Sequence, residues 1–316
     1  MINSKIKANS ISMFRSLIFA LIFFQIGFSE FGGGYSGAGY RYASNARELS
    51  LGGAMVAEPN WGFHQFGNPA LTIYTSGKEA GLSLMTMSLD RSIQVGVVNL
   101  NLPPGAAVGI AFFRAGTNNI QGRNLMGAPI ESFSASDKSA MITFSRALSN
   151  HFSAGFNLKT VFNSLPGGLD AKGIAFDMGM IYAFSDAVKI GGKVENITGR
   201  TTWKFDSGAT ETEDLLTVVS LGASTALNPI HLKILLQSDT YLIPDHGQET
   251  KLKLGAEYQL NPIVSLRGGL NNNKATVGFG LKIQTKSGVH FNVDYALDPG
   301  IENEGVSHVY SLWVKI

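Results

Sequence analysis

The sequence contains no cysteine, has few charged residues and carries a single long apolar run. The absence of cysteine from all 316 residues excludes a disulfide framework and any metal site built on thiolates. Charged residues make up 15% of the chain, whereas soluble domains contain about 25%. The apolar run covers residues 17–28. Because no comparable run follows it, we expect no transmembrane helix in the remainder of the chain.

Residues 1–29 have the organisation of a secretory signal peptide. Three basic residues precede the apolar run and small residues stand near its end, which is the order expected of such a signal. A signal anchor is the alternative, because the small residues do not form an ideal cleavage site. The formal net charge of the chain is +2, and removal of the three basic residues leaves it close to neutral. The charge therefore gives no support for a nucleic-acid partner.

Glycine is the residue present in excess, and alternating segments account for most of the chain. There are 37 glycines, well above the usual share of about 7%. From Ala80 onward, apolar and polar side chains alternate over many segments, most clearly over residues 289–298. Successive side chains of a strand point to opposite faces, and about 9–11 residues of tilted strand cross a bilayer. The pattern predicts an all-β fold, a transmembrane antiparallel β-barrel of about 14 strands formed by residues 80–316.

The connections between these segments differ at the two ends of the predicted barrel. At one end they are tight and rich in turn residues, as at residues 103–105 and 149–151. At the other end they vary, and residues 115–138 and 198–215 are predicted to be long loops. Short periplasmic turns and long outer loops are typical of outer-membrane barrels. A soluble β-sandwich would explain the alternation but not this asymmetry. We therefore expect the bacterial outer membrane as the location, with its lipid and lipopolysaccharide as partners.

The segment from Asn45 to Thr72 breaks the alternation. It combines small residues with aromatic ones and ends in an Asn-Pro-Ala triplet. Small residues allow close approach of backbones, and proline has no N–H to place in a ladder. We predict a compact plug, or hatch, over residues 30–79 inside the barrel; an exposed linker is the alternative. The hatch residues that we single out are Gly52, Gly53, Trp61, Asn68, Pro69 and Ala70.

Two motifs in this segment carry a resemblance to a known family. They are Ala46-Arg47-x-Leu49-Ser50-Leu51-Gly52-Gly53-Ala54-x-Val56-Ala57 and Asn68-Pro69-Ala70-Leu71. Together they resemble the N-terminus of the PorV/PorQ-like outer-membrane proteins, relatives of the FadL long-chain fatty-acid transporters. The resemblance implies a hatch inside a fourteen-stranded barrel. Members of the family often carry an acidic pair between the motifs, where this chain has only Glu58.

No group of residues predicts catalysis. His290, Asn292 and Asp294 project from one face of a predicted strand. Because residues two apart in a strand are about 7 Å from one another, they suit a polar lumen lining better than a shared metal. Mixed charges at other inward positions predict internal ion pairs around the hatch. The candidates for lumen lining are Lys159, Asp177, Lys282, His290, Asn292 and Asp294. We expect no enzyme activity, no cofactor and no metal.

Two functions are compatible with this fold. The PorV/PorQ resemblance implies a non-enzymatic partner in protein secretion or surface attachment, of the type IX kind, that holds secretion components with its outer loops. The FadL resemblance implies passive uptake of a hydrophobic small molecule, such as a long-chain fatty acid. The short connections at residues 90–92 and 271–273 leave little material for an extracellular capture site. On that ground the secretion function is the primary prediction, and uptake is the alternative.

Overall fold

A computed structural model describes residues 37–59, 61–205, 207–243, 247–272, 274–286, 288–300 and 305–316. The predicted signal peptide at residues 1–29 lies outside the described residues. The strands are β1 (Lys78–Thr86), β2 (Arg91–Leu102), β3 (Ala106–Arg123), β4 (Pro129–Ala147), β5 (Phe152–Leu165), β6 (Leu169–Ala183), β7 (Val188–Lys204), β8 (Thr210–Asp214), β9 (Thr217–Leu227), β10 (Leu232–Ile243), β11 (Gly247–Gln259), β12 (Val264–Asn271), β13 (Lys274–Gln284), β14 (His290–Asp298) and β15 (Ser307–Lys315).

Short helices precede the strands. They are the α-helices α1 (Ala46–Ser50) and α2 (His64–Gly67), with 3-10 helices at Ala38–Arg41 and Pro69–Tyr74; a further 3-10 turn, Asn228–Ile230, lies between β9 and β10. Within the described residues, no helix is long and apolar enough to cross a membrane.

The strands form one closed antiparallel sheet. Apart from β8 and β9, which do not pair with each other, each strand pairs with its neighbours in sequence; β1 pairs with β15, and the β6–β7 pairing completes the ring. Strands β8 and β9 share one position, because β7 pairs with β9 over its first half and with β8 near its end. The ring therefore has fourteen positions, which confirms the predicted fold class.

The two ends of the barrel differ in structure. At the end that contains the C-terminus, called the terminus end, the N–H of Lys78 donates to the carbonyl of Ile316 over 3.2 Å. At the opposite end, called the hairpin end, a turn joins β3 and β4, the longest strands at 18 and 19 residues.

Both long loops expected at the hairpin end are instead extended β-hairpins. β3 continues to Arg123 and β4 begins at Pro129, so that only residues 124–128 form the turn. Likewise, β7 runs to Lys204 and β8 begins at Thr210. In the extended part of the β3–β4 hairpin, the side chains on both faces are exposed or half-buried. The alternation of apolar and polar residues is therefore lost there although the backbone ladder continues, and the sequence pattern predicted loops instead of strands.

Side chains alternate across the wall as the sequence indicates. In β6, Ile174, Phe176 and Met178 are exposed on the outer surface, whereas Ala175 and Asp177 are buried inside. The outer surface thus consists mainly of apolar side chains. The inner surface holds the polar and small residues.

We expect Phe279→Lys to impair assembly far more than Gln284→Lys. Phe279 is exposed on the outer face of β13, whereas Gln284 has the inward parity at the terminus end of the same strand. A lysine that faces mid-bilayer lipid costs about 2–4 kcal/mol, and a lumen substitution costs much less. The heat-modifiable fraction on gels measures assembly. Equal assembly of the two variants would mean that the faces are assigned wrongly.

Candidate functional site

The described part of the N-terminal segment lies inside the barrel, against wall positions that are occupied by glycine. A Cβ on Gly179 would stand 1.9 Å from Oδ1 of Asn68, and one on Gly269 would stand 2.1 Å from the backbone N of Gly52. Gly52 itself has φ +64, and a Cβ on it would stand 2.5 Å from the carbonyl oxygen of Leu270. These contacts explain part of the glycine excess. The same close approach to N-terminal backbone or side chains occurs at Gly81, Gly155, Gly191, Gly255 and Gly278.

Helix α1 is short, and its start is capped by side chains. The side chain of Asn45 accepts a hydrogen bond from the N–H of Glu48 at 3.0 Å. In return, the Glu48 carboxylate accepts from the N–H and hydroxyl of Ser44 at 3.0 and 2.5 Å. This reciprocal arrangement is a form of capping box. It fixes the helix so that Arg47 faces the barrel wall.

Arg47 is the centre of a buried charge network that joins the hatch to the wall. Its guanidinium contacts Glu58 at 3.2 Å and Glu257 at 3.0 Å. Glu257 also binds Arg267 at 2.6 Å, and Arg267 binds Asp294 at 2.6 Å. All five side chains are buried. Buried charges persist only when they are paired in this way.

Three cationic side chains lie against the ring of Trp61, on the side of the hatch nearer the terminus end. The guanidinium carbon of Arg47 and the Nζ of Lys282 each lie 4.7 Å from the ring centroid, and Arg267 lies at 5.5 Å. Trp313 of β15 packs beside it, with ring centroids 6.4 Å apart. Because the face of an aromatic ring attracts cations, Trp61 helps to hold these three side chains in place.

Asn68 ties the second half of the hatch to the opposite wall. Its Nδ2 donates to the carbonyl oxygens of Val56 at 2.8 Å and of Met180 in β6 at 3.0 Å. Its Oδ1 accepts from the N–H of Ala70 at 3.0 Å. Pro69 starts the 3-10 helix that follows. The Asn-Pro-Ala triplet therefore joins two hatch segments to β6.

A cavity of about 120 Å³ lies between the hatch and the hairpin end. One side of it is apolar and combines hatch and wall residues. The Tyr40 hydroxyl donates to the carbonyl of Lys138 at 2.7 Å, which orients the Tyr40 ring. This apolar side is formed by Tyr40, Met55, Phe66, Phe113, Met141, Val161, Leu215, Leu216 and Val218.

The other side of the cavity is charged, and its wall charges are paired. The amino groups of its lysines lie 2.5–2.6 Å from carboxylate oxygens in the pairs Lys159–Asp177, Lys193–Glu195 and Lys253–Asp239. Two hatch charges complete the lining, the exposed Arg41 and the half-buried Glu48. Burial raises the pKa of Glu48, with partial compensation from Ser44. The polar side thus carries little net charge.

The wall beside the cavity is irregular at β7. Pairing with β9 stops at Glu195, and pairing with β8 resumes at Arg200. Asn196, with φ +55, donates from its backbone N to Asp177 at 3.0 Å and from Nδ2 to the carbonyl of Leu216 at 2.8 Å. Asparagine tolerates this left-handed conformation better than most residues. These bonds replace the missing ladder bonds where Leu215 and Leu216 line the cavity.

The predicted lumen residues face inward but do not converge. Lys159 and Asp177 line the cavity, Asp294 pairs with Arg267, and Lys282 lies on Trp61. Asn292 is buried, and His290 is half-buried near the terminus end. No group of three or more His, Cys, Asp or Glu suited to a metal occurs in the part of the chain that the structure describes. The sequence pattern gave no role to Arg47, Tyr40 or Leu215, because the residues that they contact are distant in sequence.

Solved bacterial channels share this architecture at low sequence identity. The Pseudomonas putida toluene transporter TodX has a TM-score of 0.58 and 15% identity, covering 86% of this chain and 96% of that one. The Ralstonia pickettii toluene transporter TbuX has a TM-score of 0.59 and 12% identity, covering 85% of this chain and 96% of that one. A Pseudomonas aeruginosa FadL homologue has a TM-score of 0.56 and 10% identity, covering 86% of this chain and 97% of that one. No family model and no curated protein matches the sequence. Identities this low establish the fold alone.

The structure and these neighbours correct the primary functional prediction. The fold matches hydrocarbon transporters and a FadL homologue, which favours the uptake alternative and contradicts the secretion function. The outer loops on which client binding was to depend are β-hairpins, formed by β3 with β4 and by β7 with β8. The resemblance is supported on its FadL side, and PorV/PorQ membership is not shown.

Proposed function

We propose that this chain is a non-enzymatic, passive channel of the bacterial outer membrane that takes up hydrophobic small molecules. The observation that carries the proposal is the cavity whose apolar side is built jointly by the hatch and the wall. The shared fold supports it, because proteins of this architecture include two toluene transporters. The wall also supports it, since apolar residues cover its outer surface.

The proposal assigns a role to each segment of the chain and an orientation to the barrel. Residues 1–29 direct export, the hatch precedes β1, and the barrel begins with β1 at Lys78. The hairpin end faces outside and the terminus end faces the periplasm, as in barrels with short periplasmic turns. A ligand enters from the hairpin end and rests on the hatch, which contributes Met55 and Phe66 to the cavity. Passage to the periplasm then requires the hatch to move.

The cavity suits a small and uncharged ligand. An apolar cavity of about 150 Å³ accepts benzene, so a cavity of about 120 Å³ fits one ring or a short alkyl segment. Each wall lysine that lines it already holds a carboxylate. A ligand carboxylate would therefore compete with an existing ion pair. We expect toluene to bind more tightly than benzoate, which has a similar size and a negative charge.

The test compares two adjacent substitutions in β4. Met141 is buried and lines the cavity, whereas Ile142 is exposed on the outer surface. Met141→Trp should fill the cavity and weaken toluene binding by about tenfold or more, since overfilling a packed site costs about 1–3 kcal/mol. Ile142→Trp should leave binding unchanged. Calorimetry on purified protein in nanodiscs, with benzoate as the second ligand, measures both effects. Undiminished toluene binding by Met141→Trp would refute the cavity as the ligand site.

A further inference from the structure

Three cations lie in a row on the outer surface of the barrel near the hairpin end. The ladder pairs Arg114 with Lys138, Lys138 with Phe162, and Phe162 with Lys172. All four have the outward parity, which they share with the exposed Phe112, Ile142 and Ile174. Neighbouring strands are about 4.8 Å apart. The cation row, Arg114, Lys138 and Lys172, therefore extends about 14 Å around the wall.

The cation row lacks acidic partners of its own. Arg200 pairs with Ile174, two residues from Lys172 toward the terminus end, and its side chain binds Asp214 at 2.8 Å. Among the described residues, no carboxylate lies within 4.0 Å of Arg114, Lys138 or Lys172. Like charges that are directly opposed, as in the Arg114–Lys138 pair, destabilise a strand pair. An anion from outside the protein would remove this repulsion.

A shallow groove lies beside the row on the same outer surface. Phe162 and Ile174 give it an apolar floor, and Lys172 and Arg200 give it a basic edge. Thr202 of β7 adds a hydroxyl. A groove that is apolar along its floor and basic at its edge matches an amphiphile with an anionic head and an acyl chain.

The depth of the row places it at the level of lipid headgroups. From Arg114 to Ala106, which pairs with Arg146, the strand covers eight residues, about 26 Å along its axis. At a tilt of about 40° this is about 20 Å along the membrane normal, close to the apolar band of outer-membrane barrels. The outward residues between the two levels, such as Ile110 and Ile142, are apolar and exposed.

The charge is confined to one side of the barrel. Across the wall, outward positions near the hairpin end are uncharged, as at Thr240 of β10, Thr250 of β11 and Leu270 of β12. A general requirement for solubility would not concentrate the cations on β3 to β6. A localised anionic ligand accounts for the asymmetry.

We propose that the cation row binds the phosphorylated headgroup of an outer-leaflet glycolipid, the lipid A portion of lipopolysaccharide, and that the adjacent groove holds one of its acyl chains. The proposal rests on the orientation given under the proposed function, because the hairpin end must face outside. It assigns a permanent lipid site to the wall, separate from the cavity that takes the transported ligand.

The test measures lipid A retained by the purified full-length protein after extensive detergent washing. We expect the parent to retain phosphorylated lipid A and Lys138→Gln/Lys172→Gln to lose it by about tenfold, because charge-assisted contacts to phosphate are strong. The control, Lys78→Gln/Arg146→Gln, removes two outward cations at the terminus end and should retain lipid A like the parent. Dephosphorylated lipid A should be retained by neither the parent nor the variants.

Further arms separate the possible outcomes. Millimolar inorganic phosphate should not displace lipid A; displacement would reduce the row to a simple phosphate site and overturn the lipid assignment. Equal retention by the parent and Lys138→Gln/Lys172→Gln would refute the proposal. Toluene binding should be the same in all these proteins. Its absence alongside retained lipid A would refute the channel function and leave the lipid site standing.

Discussion

Replacing Gly269 with valine should displace the hatch and open the barrel to small polar solutes. A Cβ at this inward position of β12 would stand 2.1 Å from the N of Gly52 and 2.4 Å from the carbonyl carbon of Leu51. Both are backbone atoms, so no side-chain rotation relieves the clash. The two methyl groups of valine enlarge it, and overpacking of a close contact costs about 1–3 kcal/mol or more. The ladder of β12 with β11 and β13 does not depend on the hatch, and we expect the barrel to close.

The neighbouring residue supplies a matched control. A Cβ on Gly268 meets nothing within 4 Å, and its outward parity directs the added side chain away from the hatch. Gly268→Val should therefore behave like the parent. Planar-bilayer conductance and uptake of a small polar antibiotic measure opening, and heat modifiability verifies assembly. A closed barrel in assembled Gly269→Val, with the hatch still protected from protease, would contradict the view that glycine contacts seat the hatch.

The barrel was predictable because its signal is local. In β14, Phe291, Val293 and Tyr295 follow the alternation that one strand imposes, and no distant residue is needed to recognise it. The same rule failed in the extended β3–β4 hairpin. Thr117 and Ala135 pair across this hairpin, but the side chains on both of its faces are exposed or half-buried, so apolar and polar residues do not alternate. The predicted long loops were wrong for this reason. The secretion function was wrong on separate grounds, because the fold matches transporters of hydrophobic small molecules.

The sequence predicted which segment forms the hatch, but it did not predict the contacts that this segment makes with the wall. Composition singled out Asn68 and Pro69, yet the carbonyl that Asn68 binds belongs to Met180, 112 residues away. Tyr40 and Leu215, which are far apart in the sequence, meet in the cavity. Such contacts depend on how the barrel closes, and alternation in single strands does not encode that.

Arg47 shows the same limit, and it gives the prediction with the largest effect on hatch docking. Its partner Glu257 is 210 residues distant in sequence, and both side chains are buried. Arg47→Met should weaken hatch docking by about 3–5 kcal/mol, because removing one member of a buried pair leaves an uncompensated charge. Glu257 retains Arg267, which limits the loss to the part that Arg47 supplies. When the hatch is undocked, water reaches Glu257 in the parent and in the variant. The cost of burying Glu257 without Arg47 therefore arises only in the docked state of the variant, and it weakens docking.

Hydrogen exchange resolves this effect, because it reports the hatch and the wall separately. Amides of residues 46–57 should lose protection in Arg47→Met, while those of β4 and β11 keep it. The control is Arg200→Met, which breaks the exposed pair with Asp214 and should cost about 0–1 kcal/mol. Adding Glu257→Gln to Arg47→Met should restore part of the protection, since the unpaired charge is then absent. If Arg47→Met and Arg200→Met exchange alike across the hatch, the buried network does not hold it, and the glycine contacts and Asn68 must suffice.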